Sequence, residues 1–528
     1  ANAAAASTSP VVTGEQQQRP NITFTWDRPS LSETSEDNPF LNYRLNVTFT
    51  GPSGQIYVVP GYFAADGDAA NTSASSGNKW RAHFAPDQTG QWSYAVSFKA
   101  GVDIAVNEPT ANDSSGGFFD GDNGTFTVTE STKEGRDFRG KGRLQYVGDD
   151  PNNTSNGHYL QFAGSGEYFL KQGPDAPENL LAYEDFDNTT NVGDRRKTWS
   201  PHANDWNPGD PSWQNGKGTE LIGAINYLAS EGLNAFSFLT MSGANGRGDD
   251  KNVFMWLSDS DFKRFDVSKL DQWAIVFEHG TQQGMYLHFK TQEVENNFEL
   301  GGLTTDRKLY YRELIARFGH NLALNWNLGE ENTNSTEDQR AFAQYFRSID
   351  PYDHHVVIHT YPGEDDRVYT PLLGSQSELT GASLQLERVD FSDVHDRVAE
   401  WVGKSASANN GVRPWVVAVD EPGDADWALM PDNYSTPQRP NNQEEGRKNA
   451  LWGTLMAGGA GNEWYFGYRA PESDLTLQDF RSRDRWWDYN RFALEFFTNN
   501  QIPFWEMQGD NSITSADYGF YKANESYV

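Results

Sequence analysis

The sequence predicts a mixed α/β protein in which an antiparallel β-sandwich precedes a (β/α)₈ barrel of the TIM type. Two observations lead to this fold class. Short alternating strands without a helical period occupy roughly the first quarter of the chain, and strands that alternate with amphipathic helices occupy most of the remainder. A length of 528 residues is also too great for one compact core, so several domains are expected.

The N-terminal part is predicted in two pieces. Residues 1–19 are rich in Ala, Ser, Thr and Gln, which predicts a disordered segment. Residues 20–132 are predicted to form the accessory sandwich, whose strands alternate in hydrophobicity and are separated by turn residues. The runs read as strands are ITFTW, YRLNVTFTG, QIYVVPGYF, KWRAHFAP, WSYAVSFKA and GTFTVTE. The segment FFDGDNGTF is interpreted as an Asp/Gly turn, with a structural calcium loop as the alternative.

A connector is predicted over residues 133–166, and the barrel over 167–505. The predicted barrel strands are 168–173, 233–239, 285–291, 322–328, 355–361, 382–387, 414–421 and 462–468. An open doubly wound sheet is the rival fold, but KQGPDAPEN after the first strand lacks its G-x-G-x-x-G turn. Residues 506–528 are expected to form a C-terminal strand segment, and whether the natural chain continues beyond them is left open.

The amino-acid composition excludes several classes of partner and site. Lys and Arg number 42 against 74 Asp and Glu, a formal charge of −32, which argues against nucleic acid and anionic membranes as partners. Cysteine is absent, so disulfides and thiolate metal sites are excluded. The opening ANAAAASTSP is typical of segments beside signal-peptide cleavage sites, which predicts a secreted or periplasmic protein. The acidic, cysteine-free composition fits a marine bacterium.

Acidic residues stand at the ends of two predicted barrel strands. Strand four ends in NWNLGEEN with Glu330 and Glu331, and strand seven ends in AVDEPG with Asp420 and Glu421. In such barrels the active site forms at the carboxyl ends of the strands. Strands four and seven face each other across the lumen, so two carboxylates there can lie about 5–5.5 Å apart, as a retaining glycosidase requires.

NLGEEN resembles the W-x-L-G-N-E-P segment of the clan A retaining glycosidases, and the chain over roughly residues 20–505 resembles bacterial polysaccharide-degrading proteins that join a sandwich to a barrel. The resemblance implies that Glu331 is the acid/base and Glu421 the nucleophile. The clan has Asn before its acid/base, whereas this chain has Glu330. Either Glu330 replaces that Asn as an acceptor for the sugar 2-hydroxyl, or the register is shifted by one and Glu330 is the catalyst. The structural alternative for both strand ends is a solvated loop.

Seven further residues near strand ends are predicted to bind substrate. They are Lys171, Gln172, His288, His359, Tyr361, Trp464 and Tyr465. Because strand side chains alternate, at most one of Trp464 and Tyr465 can face the sugar. Packing of the lumen is the alternative for Lys171, Gln172, His288 and Lys290. Glu293 and Glu295, after strand three, are rivals for a catalytic role.

No cofactor is expected. The ten His residues form no H-E-x-x-H motif, and the chain has no G-x-S-x-G elbow, so neither a catalytic metal nor a serine nucleophile is predicted. The predicted function is a retaining glycoside hydrolase acting on a plant or algal polysaccharide, or its oligosaccharides, with marine galactans such as agar, porphyran or carrageenan favoured. A sulfated substrate would need cations, for which Arg247, Arg388, Arg469 and the run at 481–485 are candidates. The alternatives are a non-catalytic carbohydrate-binding protein and a polysaccharide lyase.

Overall fold

The computed structural model describes residues 9–242, 252–294 and 299–528. The predicted rival Glu295 and the predicted cation Arg247 fall outside these ranges. Within them, no helix is long and apolar enough to cross a membrane.

The N-terminal region contains two four-stranded antiparallel sheets. Their strands are β1 (Val11–Gly14), β2 (Ile22–Ser32), β3 (Tyr43–Thr50), β4 (Ile56–Pro60), β5 (Tyr62–Phe63), β6 (Ser76–Phe84), β7 (Gly90–Ala100) and β8 (Asn123–Val128), with a short helix α1 (Ala69–Thr72) before β6. The strand orders are β1-β2-β6-β5 and β4-β3-β7-β8. The predicted run QIYVVPGYF divides at Gly61, so that its two halves join different sheets.

The two sheets contact each other through aromatic rings. Phe49 of β3 stacks on Phe84 of β6 with ring centroids 4.2 Å apart, and it also contacts Phe24 of β2 at 5.1 Å. Phe84 in turn lies 5.0 Å from Trp92 of β7. All four side chains are buried. The alternation read in the sequence therefore directs these rings into one apolar layer between the sheets.

One N-terminal prediction needs correction. Residues 1–19 were expected to be disordered, but Val11–Gly14 forms the edge strand β1, which pairs antiparallel with β2. The β-branched pair Val11 and Val12 suits an extended edge strand, a signal that the composition of the surrounding segment obscures. In the segment FFDGDNGTF, Asp120 accepts from the Phe98 amide at 2.7 Å and pairs with Lys99 at 2.9 Å, as expected for an Asp/Gly turn.

The connector and the C-terminal region contain the remaining strands. These are β9 (Leu144–Gln145), β10 (Gln161–Phe162), β11 (Lys171–Pro174), β12 (Ala235–Leu239), β13 (Trp256–Ser258), β14 (Asp261–Phe265), β15 (Tyr286–Lys290), β16 (Leu324–Asn327), β17 (His355–Val357), β18 (His359–Thr360), β19 (Gly381–Gln385), β20 (Val416–Glu421), β21 (Gly461–Trp464), β22 (Gln508–Gly509), β23 (Phe520–Lys522) and β24 (Ser526–Tyr527). Strands β22, β23 and β24 form a small sheet of their own in the predicted C-terminal strand segment.

Two parallel sheets carry the site. One has the order β12-β15-β16-β17 and the other β11-β21-β20-β19-β18. At one end, the Asn234 amide just before β12 donates to the Gln172 carbonyl of β11 at 3.0 Å. At the other end, β17 and β18 follow each other along the chain and are separated only by Ile358. The eight predicted strand positions are all occupied by strands of these two sheets, counting β17 and β18 as one position.

Helices alternate with the parallel strands. They are α2 (Phe138–Lys141) in the connector, then α3 (Thr219–Ser230), α4 (Val267–Gln282), α5 (Thr305–Phe318), α6 (Thr336–Ile349), α7 (Asp365–Tyr369), α8 (Val394–Ser407), α9 (Gln443–Glu445), α10 (Gly453–Met456) and α11 (Asp484–Asn499), with a π-helical segment at Gly446–Trp452 between α9 and α10. Asp266, Thr304 and Ser335 cap α4, α5 and α6 through side-chain oxygens.

Helix α5 attaches the antiparallel sheets to the parallel ones. Arg312 donates to the Leu45 carbonyl at 2.7 Å, and Arg317 donates to the Phe63 carbonyl at 3.1 Å. Arg317 is itself held by an ion pair with Glu313 at 2.6 Å. Buried guanidinium groups on α5 thus donate directly to backbone carbonyls of the antiparallel sheets.

Candidate active site

The predicted catalytic glutamates lie at the carboxyl ends of β16 and β20. Glu421 is the last residue of β20, whereas Glu330 and Glu331 follow β16 after a turn at Gly329. Gly329 has φ of 138° and Glu331 has φ of 40°, a left-handed conformation that is uncommon for a residue with a side chain. This reversal gives the two adjacent glutamates different environments.

His359 of β18 lies between the carboxylates. Its Nε2 is 2.9 Å from Glu421 Oε2 and 3.4 Å from Glu330 Oε2. Burial alone would lower the pKa of His359, but the Glu330 charge and the hydrogen bond to Glu421 raise it to about 9. The imidazole is therefore positively charged at neutral pH and pairs with carboxylates from two strand ends.

Glu331 is partly buried and has the character of a proton donor. Its Oε1 accepts from Gln385 Nε2 at 2.9 Å, and Tyr361 hydrogen-bonds to the same carboxyl group. Burial, followed by repulsion from the Glu421 carboxylate, raises the pKa of Glu331 to about 7. The Glu331 carboxyl group can therefore both hold and release a proton near neutral pH.

Glu330 has the opposite character. It is 1% exposed, and its Oε1 lies 2.6 Å from Lys290 Nζ of β15. Burial opposes ionisation, but His359 and Lys290 hold the pKa of Glu330 below its usual range. Lys290 also pairs with Asp175, just after β11. A carboxylate held as an anion by two cations is a poor general acid, so the geometry favours Glu331 over the alternative in which the register is shifted by one.

A second layer of charged residues lies on the strands themselves. Lys171 Nζ is 2.6 Å from Asp420 Oδ1 and 3.5 Å from Glu463 Oε1. His288 Nδ1 is 2.5 Å from Glu463 Oε2, and its Nε2 is 2.9 Å from Asn327 Nδ2. All five side chains are buried. They form an ion-paired core under the carboxylates at the strand ends.

Several predicted substrate contacts are corrected by these positions. Lys171 and His288 are engaged with protein carboxylates, and Gln172 Nε2 donates to Asn462 Oδ1 at 3.2 Å. These three side chains therefore lie within the core, as the packing alternative proposed. Trp464 Nε1 donates to Asn490 of α11 at 2.7 Å, and its ring lies 4.6 Å from that of Trp486, so it faces the helices.

Tyr465 is the member of the aromatic pair that lies beside the carboxylates. It is buried, and its ring centroid is 5.9 Å from that of Tyr468. Burial, then the charges of Asp474, Glu178 and Glu421 among its neighbours, raise the pKa of Tyr465 well above its usual range. His359, Tyr361 and Tyr465 are thus the predicted substrate residues that the structure brings to the two glutamates.

Sequence reasoning did not single out Glu178, which follows β11. Its side chain is 6% exposed, and burial, with repulsion from Glu293 and Asp474, raises its pKa well above the usual range. The rule that identified the ends of strands four and seven also applies to strand one, where the sequence PDAPEN offers Asp175 and Glu178. Glu293, one of the predicted rivals, lies in this acidic group.

Among the residues that the structure describes, two buried triads have side chains close enough to hold a cation. They are His288–Asp420–Glu463 and Glu330–His359–Glu421, each with ligand atoms within 4.8 Å of one another. Lys171 and Lys290, however, already supply ammonium groups to carboxylates of these triads at 2.6 Å. We therefore interpret both as ion-paired clusters whose positive charge comes from lysine and histidine side chains.

The described arginines that were candidates for binding sulfate mostly have other partners. Arg469 pairs with Asp426 at 2.8 Å, and Arg481 pairs with Asp205 at 2.5 Å. Arg483 is buried and donates to the Leu429 carbonyl at 3.1 Å. Arg485 donates to Gln443 at 2.8 Å, while Arg388 is exposed and donates to Ser392 at 3.2 Å.

Comparison with known proteins connects this architecture to glycoside hydrolases. Residues 16–99 match a family profile described as a domain of unknown function (DUF5060). No curated protein sequence is significantly similar to the chain. A crystal structure of a candidate glycoside hydrolase from Bacteroides vulgatus ATCC 8482 superimposes with a TM-score of 0.61 at 15% identity, covering 96% of this chain and 82% of that one.

Two further structures are more distant. A glycoside hydrolase family 5 protein from the same Bacteroides strain gives a TM-score of 0.46 at 16% identity, covering 72% of this chain and 78% of its own. A family 5 mannosidase from Rhizomucor miehei gives 0.44 at 9% identity, covering 68% and 99%. The first of the three superpositions shows that the chain shares the fold of that Bacteroides vulgatus protein.

Proposed function

We propose that the protein is a retaining glycoside hydrolase in which Glu331 is the general acid/base and Glu421 the nucleophile. One observation carries the proposal. Glu331 has a pKa raised to about 7 in part by the charge of Glu421, while Glu421 accepts a hydrogen bond from the charged His359. A protonated carboxyl group beside an ionised one is the arrangement that double displacement requires.

The fold would support this chemistry. We infer that the two parallel sheets form one closed (β/α)₈ barrel, because they meet at the Asn234–Gln172 hydrogen bond and at the consecutive strands β17 and β18. In such a barrel, β16 and β20 are the fourth and seventh strands, which face each other across the lumen. The antiparallel sheets would then be an accessory sandwich packed against α5.

The reaction would proceed in two steps. First, the Glu331 carboxyl proton passes to the glycosidic oxygen as that oxygen leaves, and a Glu421 carboxylate oxygen bonds to the anomeric carbon to form a glycosyl ester. Next, the Glu331 carboxylate removes a proton from water, whose oxygen bonds to the anomeric carbon and releases Glu421. Both steps invert the carbon, so the product retains the configuration of the substrate.

Glu330 occupies the position at which the resembled clan has Asn. Its two oxygens face Lys290 and His359, at 2.6 and 3.4 Å. We propose that it accepts a hydrogen bond from the sugar 2-hydroxyl while it holds His359 in place. An anionic acceptor at this position would strengthen that bond as charge develops on the sugar in the transition state.

The proposed substrate is a plant or algal polysaccharide or its oligosaccharides, with a neutral sugar bound at the reacting position. The Glu330 carboxylate, whose pKa is held below its usual range, lies beside the two proposed catalytic glutamates, and four of the five described arginine candidates donate to groups elsewhere. An anionic ring would be repelled by the Glu330 carboxylate. Agar-type galactans with neutral galactose units therefore fit better than heavily sulfated ones, and a polymer substrate agrees with the proposed secreted or periplasmic location.

Reducing-end release from neutral and sulfated galactans and from plant polysaccharides tests the function. Glu331→Gln and Glu421→Gln should each lower kcat on the order of 10³-fold on the substrate that the wild type cleaves. Azide should rescue a Glu421→Gly variant and give a glycosyl azide of inverted configuration. Glu364→Gln, an exposed carboxyl group on the loop before α7, is the matched control and should keep full activity.

Three outcomes would overturn the proposal. Wild-type activity that survives Glu331→Gln but not Glu330→Gln would move the acid/base by one residue. An unsaturated product absorbing near 235 nm would identify a lyase. Binding to a polysaccharide without any bond cleavage would favour the non-catalytic carbohydrate-binding alternative.

A further inference from the structure

A chain of buried hydrogen bonds runs from His359 away from the catalytic glutamates. His359 Nδ1 lies 3.1 Å from Ser383 Oγ of β19, and the Ser383 hydroxyl donates to Asp420 Oδ2 at 2.6 Å. Asp420 Oδ1 in turn accepts from Lys171 Nζ at 2.6 Å. Asp420 directly precedes Glu421 on β20. The end of this strand therefore supplies both the proposed nucleophile and one member of the hydrogen-bonded series.

The direction of each hydrogen bond follows from the chemistry of Asp420. A carboxylate paired with an ammonium group is ionised and can only accept hydrogen bonds. Ser383 must therefore donate its single hydroxyl proton to Asp420, which leaves only lone pairs on Oγ toward His359. Nδ1 of His359 consequently has to carry a hydrogen atom.

The opposite edge of the same ring faces two carboxylates. Nε2 lies 2.9 Å from Glu421 Oε2 and 3.4 Å from Glu330 Oε2. A neutral imidazole with its hydrogen fixed on Nδ1 would direct the Nε2 lone pair at these oxygens, which is repulsive in a buried site. With both carboxyl groups present as carboxylates, which can only accept hydrogen bonds, the arrangement is satisfied when Nε2 is protonated as well, that is, when His359 is an imidazolium cation.

We propose that Ser383 and Asp420 are positioning residues that hold His359 as an imidazolium cation, and that this cation orients the Glu421 carboxylate. The consequence for Glu421 rests on the proposed function. The state of His359 itself does not, since it follows from the hydrogen bonds alone. Without Ser383, a neutral His359 could carry its one hydrogen on Nε2 and still donate to Glu421.

Other charged groups act on His359 from each neighbouring element and have to be considered in any titration. Glu421 (β20), Glu330 and Glu331 (after β16), Lys290 (β15) and Asp175 (after β11) all interact with it electrostatically. Substitution of Ser383 changes none of these charges. A change in the titration of His359 in a Ser383 variant can therefore be assigned to the lost hydrogen bond.

Nitrogen-15 NMR of the full chain labelled selectively at histidine tests the proposal without any substrate. The His359 resonances are assigned by their loss in His359→Gln, and both ring nitrogens are followed from pH 5 to pH 10. In the wild type both should be protonated at pH 7, with loss of the second proton near pH 9. Ser383→Ala should lower this midpoint by at least about one pH unit, whereas Ser383→Thr, which keeps the hydroxyl, should restore it.

Asp420→Asn should lower the midpoint in the same direction, because an amide NH₂ can donate to Ser383 and free its hydroxyl to donate to Nδ1. His355, whose Nδ1 bonds Thr380 at 2.6 Å, is an internal control that should not respond. Thermal unfolding establishes that each variant is folded, and Ser383→Ala decides if Asp420→Asn does not fold. A neutral His359 in the wild type at pH 7, or equal midpoints in wild type and Ser383→Ala, would overturn the proposal.

If the protein also proves to be a glycosidase, Ser383→Ala should lower kcat more than it raises KM, since Ser383 is fully buried and bonded to His359 and Asp420. The NMR result and the activity result are independent. Loss of the NMR effect would contradict the positioning role, whereas an inactive wild type with the expected titration would contradict only the proposed function.

Discussion

The antiparallel sheets and the parallel sheets bury different chemistry at similar depth. Between the antiparallel sheets lie aromatic rings such as Phe24, Phe49 and Phe84, none more than 1% exposed. Between the parallel strands lie charged side chains such as Lys290 and Glu463, which are equally buried. The interior between the antiparallel sheets removes apolar surface from water. The interior between the parallel strands holds charges away from water, where ionised groups are disfavoured.

The difference shows where stability and function reside. Apolar burial stabilises a fold by roughly 25 cal/mol per Å², whereas removing an ion from water costs several kcal/mol that only good pairing offsets. Hydrophobic residues of the same volume could pack between the parallel strands without the cost of removing ions from water. We therefore interpret the ionic interior as the part of the molecule built for chemistry and the aromatic interior as the part built for packing.

Lys290→Met should be the most damaging test of this comparison. Lys290 pairs with Glu330 at 2.6 Å and with Asp175, so its loss would leave buried Asp175 without this cation and buried Glu330 with only His359. We expect the free energy of unfolding to fall by about 3–5 kcal/mol, as measured by urea denaturation. Activity should fall as well, because Glu330 would lose the cation that holds it.

The matched control also removes the two carboxyl charges that pair with Lys290. A triple variant, Lys290→Met with Glu330→Gln and Asp175→Asn, should recover most of the stability but not the activity. If the free energy of unfolding of the single Lys290→Met variant is lower than that of the wild type by less than about 1 kcal/mol, these charges do not depend on one another for stability.

Phe49→Leu should have a smaller effect that is confined to stability. The ring stacks on Phe84 at 4.2 Å in the aromatic layer, so a smaller side chain leaves a partly filled gap. We expect a loss of about 1–2 kcal/mol in urea denaturation with kcat unchanged. Val58→Ala, at a half-exposed position of β4, should change stability by less than about 0.5 kcal/mol. A drop in kcat for Phe49→Leu would show that the two regions are coupled.

The sequence predicted the strands better than the contacts of their side chains. Alternation placed β2, β3, β6 and β7, and the sequence also predicted that helices alternate with the later strands, because periodicity is a local property. It also led to Glu331 and Glu421 as strand-end residues. The split of one predicted strand into β4 and β5 depended on sheet pairing, which is not local.

The roles of neighbouring charged residues could not be read from the sequence. Glu330 and Glu331 are chemically identical and adjacent, and they differ only because Lys290 and His359 lie beside one and Gln385 beside the other. These partners come from strands 29 to 54 residues away. Likewise, strand alternation could state that one of Trp464 and Tyr465 faces the helices, but not which one.

An effect of similar size, on the pH dependence of stability, separates the two glutamates. Glu331 has a folded pKa of about 7, above that of an unfolded glutamate, so its contribution to stability is present at low pH and is lost as the pH rises toward 7. Glu331→Gln avoids this loss, and its free energy of unfolding should exceed that of the wild type by on the order of 1–2 kcal/mol at pH 8 and by little at pH 4.

Glu330→Gln is the control of opposite sign. The folded pKa of Glu330 is lowered, so its charge stabilises the protein above the unfolded pKa and ceases to do so as the pH falls through the folded one. This variant should therefore be less stable than the wild type at pH 8 and approach it in acid. Paired urea titrations at the two pH values measure both differences. If the two variants shift in the same direction, the adjacent glutamates share one environment, and the assignment of Glu331 alone as the proton donor fails.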